Sequence, residues 1–271
     1  MTTSKLVKTI VFVVLLVAAS SYLGYTGRQI GQLGSAIFVF SMDALYPFIW
    51  LLLALVLVAV TAGLVAALVR PLWMCFIAFA ISSLTMLFIW GPNLISVVLA
   101  LLYLLAGLLY SRGVAKGLDE RIRFSVRPIR DNQSMLTIVL VIAVSVLFYL
   151  GYAAQIESEG FTAPSFVVDM GMGIAEKQIE AIPDLTPQEK AEALAEFRQL
   201  FEQQVEDAVE PYHKFVAVGA ALILLGLLTT ILGLFSWLPA LILKAVFAIL
   251  TACHVTNVVT ETREVERLTI D

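Results

Sequence analysis

Long apolar runs, each of about 18 residues or more, recur along the chain and constrain it more than any other feature. One such run covers the roughly 30 Å hydrocarbon layer of a bilayer at about 1.5 Å per helical residue. Lipid offers backbone N–H and C=O groups no partner, so only helices and closed barrels can cross it. The runs are continuous rather than alternating, which selects helices. They are read as spans at 9–27, 44–69, 72–90, 93–110, 135–154, 214–235 and 238–256. The chain is 60% hydrophobic and 14% charged, against roughly 45–50% and about 25% in an ordinary globular domain. The expected fold class is an all-α polytopic membrane protein with about seven transmembrane helices.

Charge then orients the spans. Residues 111–134, between the fourth and fifth, carry Arg112, Lys116, Arg121, Arg123, Arg127 and Arg130 against Asp119, Glu120 and Asp131. Short loops rich in Lys and Arg stay in the cytoplasm. Counting outward puts Lys5, Lys8 and Arg70 on that same side. Residues 155–212 fall on the other side and hold thirteen acids against three bases, a net −10. The expectation is a protein of a cytoplasmic membrane, with its N-terminus cytoplasmic and residues 155–212 extracytoplasmic. Arg121, Arg123, Arg127 and Arg130 read as a contact to anionic lipid headgroups.

Two stretches repeat. Tyr22-Leu23-Gly24-Tyr25 ends the first span and Tyr149-Leu150-Gly151-Tyr152 the fifth, an offset of 127. Asp43 to Phe48 enters the second span as Asp207 to Tyr212 enters the sixth, an offset of 164, and Trp73 pairs with Trp237 at that same offset. The difference, 164 less 127, is a 37-residue insertion in the outer loop of the second half. The pattern predicts a parallel 3+1+3 internal repeat about an axis along the membrane normal. Residues 1–92 are then the first three-helix unit, 93–134 a linker span with the basic loop, and 135–154 the first span of the second unit. Residues 155–212 are an acidic helical hairpin, and 213–271 hold the last two spans and the tail. Retention of the first span follows from its second copy, although Lys5 and Lys8 before an apolar core also fit a signal peptide.

Within the hairpin, Thr186-Pro187-Gln188-Glu189 is a helix start with Thr at the N-cap, Pro at the first position and Glu returning a hydrogen bond. Leu194, Phe197, Phe201 and Val205 follow at intervals of three and four and put an apolar stripe on one face. A preceding helix, about Ser165 to Ala181, offers Phe166, Met170, Ile174 and Ile179. Either the two stripes bury each other or lie on the membrane surface, or two helices are too small to hide both and Leu194, Phe197, Phe201 and Val205 are the candidate contact to another membrane or extracytoplasmic subunit.

Chemistry is scarce. The first five spans as drawn hold no Asp, Glu, Lys, Arg or His, and Lys244 in the seventh lies near enough to the cytoplasmic face to snorkel. His213 and His254 differ in depth by roughly 10 Å on this reading, which argues against a shared metal. Cys75 and Cys253 fall inside apolar runs with no ligand cluster beside them. No nucleophile with its base, HExxH pair or phosphate loop is present. Small residues in the second and sixth spans, Gly63 and Gly226 among them, predict that both helices lie inside the bundle. The expected function is a non-catalytic scaffold or accessory subunit of a membrane complex, with no cofactor, no metal and no nucleic-acid partner. The alternative is a small transporter or channel for a neutral solute or lipid.

Overall fold

A computed structural model describes residues 3–34, 42–121, 125–161, 163, 165–180, 186–253 and 255–256. Among the described residues there are nine α-helices and no strand: α1 (Thr3–Leu33), α2 (Met42–Leu68), α3 (Leu72–Trp90), α4 (Leu94–Asp119), α5 (Arg127–Glu159), α6 (Ser165–Glu180), α7 (Pro187–Val209), α8 (His213–Leu234) and α9 (Leu238–Ala252). Six of them, α1 to α5 and α8, are long and apolar enough to cross a membrane. The chain is a helical, multi-pass membrane protein.

Helix α1 packs against α2, α3 and α5, and α2, the most buried of the long helices, also meets α4 and α9. In α1 the buried positions Phe12, Leu16, Ala19, Leu23, Thr26 and Ile30 recur at alternating steps of four and three. That 3.5-residue period keeps one seam facing its neighbours over the whole helix length. Lipid tails are as apolar as Leu, so the seam is held by close packing rather than by expulsion of water. Gly31 and Gly151 show how close: a Cβ on Gly151 would fall on the Gly31 carbonyl. Gly27 meets Val144 and Leu147, and Gly31 meets Leu147 and Gly151, so α1 and α5 run parallel. Gly113 beside Asn132 and Gly117 beside Pro128 bring the end of α4 against the start of α5, antiparallel to it.

These contacts gather the N-terminal ends of α1 and α5 with the C-terminal end of α4 at one end of the bundle. The end of α2 joins them, since Gly63 faces Ile129 and the Arg70 guanidinium lies 3.7 Å from the Asp119 carboxylate. The basic stretch is largely helical rather than a loop: α4 runs on through Asp119 and α5 begins at Arg127. At 26 and 33 residues these helices are about 39 and 50 Å long and outreach the hydrocarbon layer.

The expected seventh span is not one of the long apolar helices. Helix α9 has 15 residues and is about 22 Å long, short of the roughly 30 Å layer. It packs on α2 and α5 through Pro239, Leu243 and Phe247, four residues apart, with Leu243 seated against Gly63 and Ile129. Just beyond it, Lys8 Nζ donates to the Val255 carbonyl at 2.8 Å. Ile129 opens α5 and Lys8 lies in the first turns of α1, so α9 lies across one end of the bundle. Leu243 and, just past the helix, Val255 both meet that end, and Lys244 is exposed.

The small residues of the second and sixth spans also part company. In its most apolar stretch α2 is 67% buried, but α8 only 28%. Gly219, Gly226 and Gly233 face open space, and α8 packs chiefly on α5 alone. Helix α8 therefore lies on the periphery, because small residues permit a close approach without supplying a partner for it.

Helices α6 and α7 pack chiefly against each other. The buried side of α6 is Val168, Gly171 and Ala175, not the expected stripe, for Met170 and Ile174 are 66% and 59% exposed. The reason is steric: the Phe201 ring of α7 sits on Gly171, where a larger side chain would hold the two helices apart.

Candidate functional site

A cavity of about 430 Å³ opens between α2, α5 and the turn that joins α8 to α9. Helix α8 is held by α5, and α9 by α2 and α5, so the two diverge from the turn that joins them. Its polar end is the first turns of α5, where Arg130, Ser134 and Thr137 follow at steps of four and three on one face. Leu55, Val56, Ile138, Val141 and Leu232 line the rest. From Arg130 to Val141 the wall runs eleven residues, or about 16 Å.

Asp131 lies 3.7 Å from Arg127 and 3.8 Å from Arg130, so one carboxylate faces two guanidiniums at the N-terminus of a 33-residue helix. Arg130 and Asp131 stand in the wall and Arg127 just outside it, so the three together are cationic by about one charge, and the helix dipole adds to it. Gln133 also stands in the cavity wall; it is 6% exposed, and neither atom of its carboxamide finds a hydrogen-bond partner in the protein. An unpartnered buried polar group costs about 1–3 kcal/mol. Ser134 and Thr137 make no side-chain hydrogen bond among the described residues.

At the opposite end of the bundle, Arg28, Gln32, Trp90 and Asn93 line a smaller cavity of about 260 Å³. Between the two ends lies a buried polar cluster that sequence reasoning missed. Ser20 of α1, Ser82 of α3 and Tyr103 of α4 are mutually hydrogen-bonded, with the tyrosine hydroxyl 3.2 Å from Ser20 and 3.1 Å from Ser82. All three are fully buried. Such interhelical bonds average about 0.6 kcal/mol in membranes, and no acid or base stands among them to drive a reaction. They hold three helices in register.

Of the residues singled out from sequence, Arg121, Arg127 and Arg130 are exposed at the same end of the bundle. Arg123 lies outside the described residues, as does His254. Leu194, Phe201 and Val205 are half-buried along α7, and Phe197 is 36% exposed with its ring stacked on Phe201 at 5.7 Å. Phe201 covers Gly171 of α6, so the structure divides the stripe between an inner contact and an exposed edge. Among the described residues no three metal-ligating side chains come together. Cys75 is buried and Cys253 exposed.

The cavity had one legible sign, the polar stripe Arg130, Ser134 and Thr137 leading into Val141. A boundary drawn at 135 hides it by assigning its head to a loop. No protein-family model, curated protein or solved structure matches this chain.

Proposed function

We propose that the chain is a non-catalytic membrane protein serving as scaffold or accessory subunit of a membrane complex, with the α6–α7 pair as its contact element. One observation carries this reading. In a segment rich in acids, Met170, Ile174 and Leu200 remain 66%, 59% and 56% exposed after α6 and α7 have packed together. Apolar side chains of that size in water call for a cover. A net charge of −10 over residues 155–212 opposes an anionic lipid surface, which leaves a protein with a basic rim around an apolar patch.

The orientation that goes with this reading has the clustered basic end in the cytoplasm and α6–α7 outside. Support for the duplication comes from Tyr22, whose ring meets Trp50 of α2 edge-on at 6.3 Å, and from Tyr149, which faces Val218 and Leu222 of α8. The first two helices of each half are then equivalent, while α9 departs from α3 in length and direction.

The cavity favours a second reading, carriage of a lipid or neutral solute. Its wall of about 16 Å is half the hydrocarbon layer, which suits a seat better than a path. The discriminating experiment is purification from native membranes. Met170→Ser with Ile174→Ser should remove a stoichiometric partner and leave the α6–α7 pair protease-resistant. Phe201→Ser, which uncovers Gly171, should loosen the pair itself. If the Met170/Ile174 variant keeps every partner of the parent protein, the scaffold reading fails.

A further inference from the structure

We propose that the cavity between α2, α5 and the α8–α9 turn binds one phospholipid with an anionic headgroup. The phosphate sits by Arg130 and Ser134, and one acyl chain lies along Val56, Ile138 and Leu232. Three independent observations converge on that occupant. The first is charge: Arg130 and Asp131 stand in the wall, Arg127 just outside it also lies against Asp131, which leaves the group net cationic by about one charge, and the start of α5 adds its dipole. The second is the buried carboxamide of Gln133 in the wall, which has a donor and an acceptor and no partner among the described residues.

The third is the shape and polarity of the wall. A water-soluble anion would satisfy Arg130 but leave the apolar walls wet, and a hydrocarbon would cover the walls but strand the polar end. Only a molecule with both parts matches. Ile138, Phe235 and Trp237 at the rim are each about half exposed, which places aromatic rings where the headgroup layer meets the tails. The volume of about 430 Å³ falls in the range of natural ligand sites.

Gly233 makes the idea testable, because it lines the cavity and a side chain added there meets nothing within 4 Å. The full chain is equilibrated with phosphatidylcholine vesicles containing a minority of phosphatidylglycerol and extracted in mild detergent. Lipid retained per protein is then counted by native mass spectrometry. The parent protein should hold one phosphatidylglycerol. Gly233→Phe should lose it while keeping its helicity and elution volume, and Arg130→Gln should lower the preference for phosphatidylglycerol over phosphatidylcholine roughly fivefold. Retention by Gly233→Phe equal to the parent, absence of any headgroup preference in the parent, or displacement of the lipid by millimolar glycerol phosphate would each overturn the proposal. Since Arg130→Gln puts no bulk in the core, it decides the matter even if Gly233→Phe misfolds.

Discussion

Among single residues, glycines that look alike in the sequence do opposite things. Gly151 meets the backbone of Gly31, which cannot move aside as a flexible side chain can, and Gly107 lies under the ring of Phe79. Gly151→Val should therefore destabilise the bundle by about 1–3 kcal/mol or more, as overpacking does. By contrast, Gly233→Ala adds a methyl to open space and should be neutral or stabilising, since Ala exceeds Gly in helix propensity by up to about 1 kcal/mol. Thermal unfolding in one detergent checks the pair, and equal losses at both sites would show that these helices do not pack as described. Gln133 gives a complementary test. Gln133→Leu removes an unpartnered buried amide and should hold or raise thermal stability by about 1 kcal/mol, while lowering phospholipid retention. Sequence shows that small residues are present but not which of them meets another helix, because that depends on neighbours distant along the chain.

At the level of the element, helix starts written in local chemistry were legible and helix faces were not. Helix α7 begins where Thr186 and Glu189 place it: the Thr186 N–H donates to the Glu189 carboxylate at 2.8 Å and its hydroxyl donates at 2.7 Å. These two bonds hold the Glu189 carboxyl below the usual carboxylate range. A folded pKa lower than the unfolded one means that the capping contribution is complete above the ordinary carboxylate pKa and is lost as pH falls through the depressed value. The protection factors of amides in the first turn of α7, with the intrinsic pH dependence of exchange divided out, should fall on acidification to that range, and Glu189→Gln should flatten the dependence; a variant as pH-sensitive as the parent would refute the cap. The faces of α6 were misjudged because a large-residue stripe at helical spacing reads as the buried side. Here Gly171 and Ala175 lie against α7, and the larger Met170 and Ile174 are left outside. The membrane boundary of α5 misled in the same way, since hydropathy ends where the first charges begin but the helix does not.

For the whole molecule the path of the chain after α8 matters most, and α9 gives a different path from a count of apolar runs. Seven runs predict termini on opposite sides. A 15-residue helix whose Leu243 meets Ile129 over Gly63, followed by a hydrogen bond from Lys8 to Val255, returns the chain to the end it came from. Apolar content alone could not reveal this, because α9 is apolar enough for a span and fails only by length and direction. The protein carries its own reporter: Cys253 is exposed at the end of α9, while Cys75 is buried. With α6–α7 outside and the basic end in the cytoplasm, a membrane-impermeant maleimide applied to intact cells should label a thiol introduced as Glu192→Cys but leave Cys253 untouched. Opening the membrane should then expose Cys253 together with a thiol introduced as Arg121→Cys. The Cys253→Ser variant supplies the background, and buried Cys75 should contribute little to it. Labelling of Cys253 in intact cells while Arg121→Cys stays protected would mean that α9 crosses after all, and would restore the seventh span.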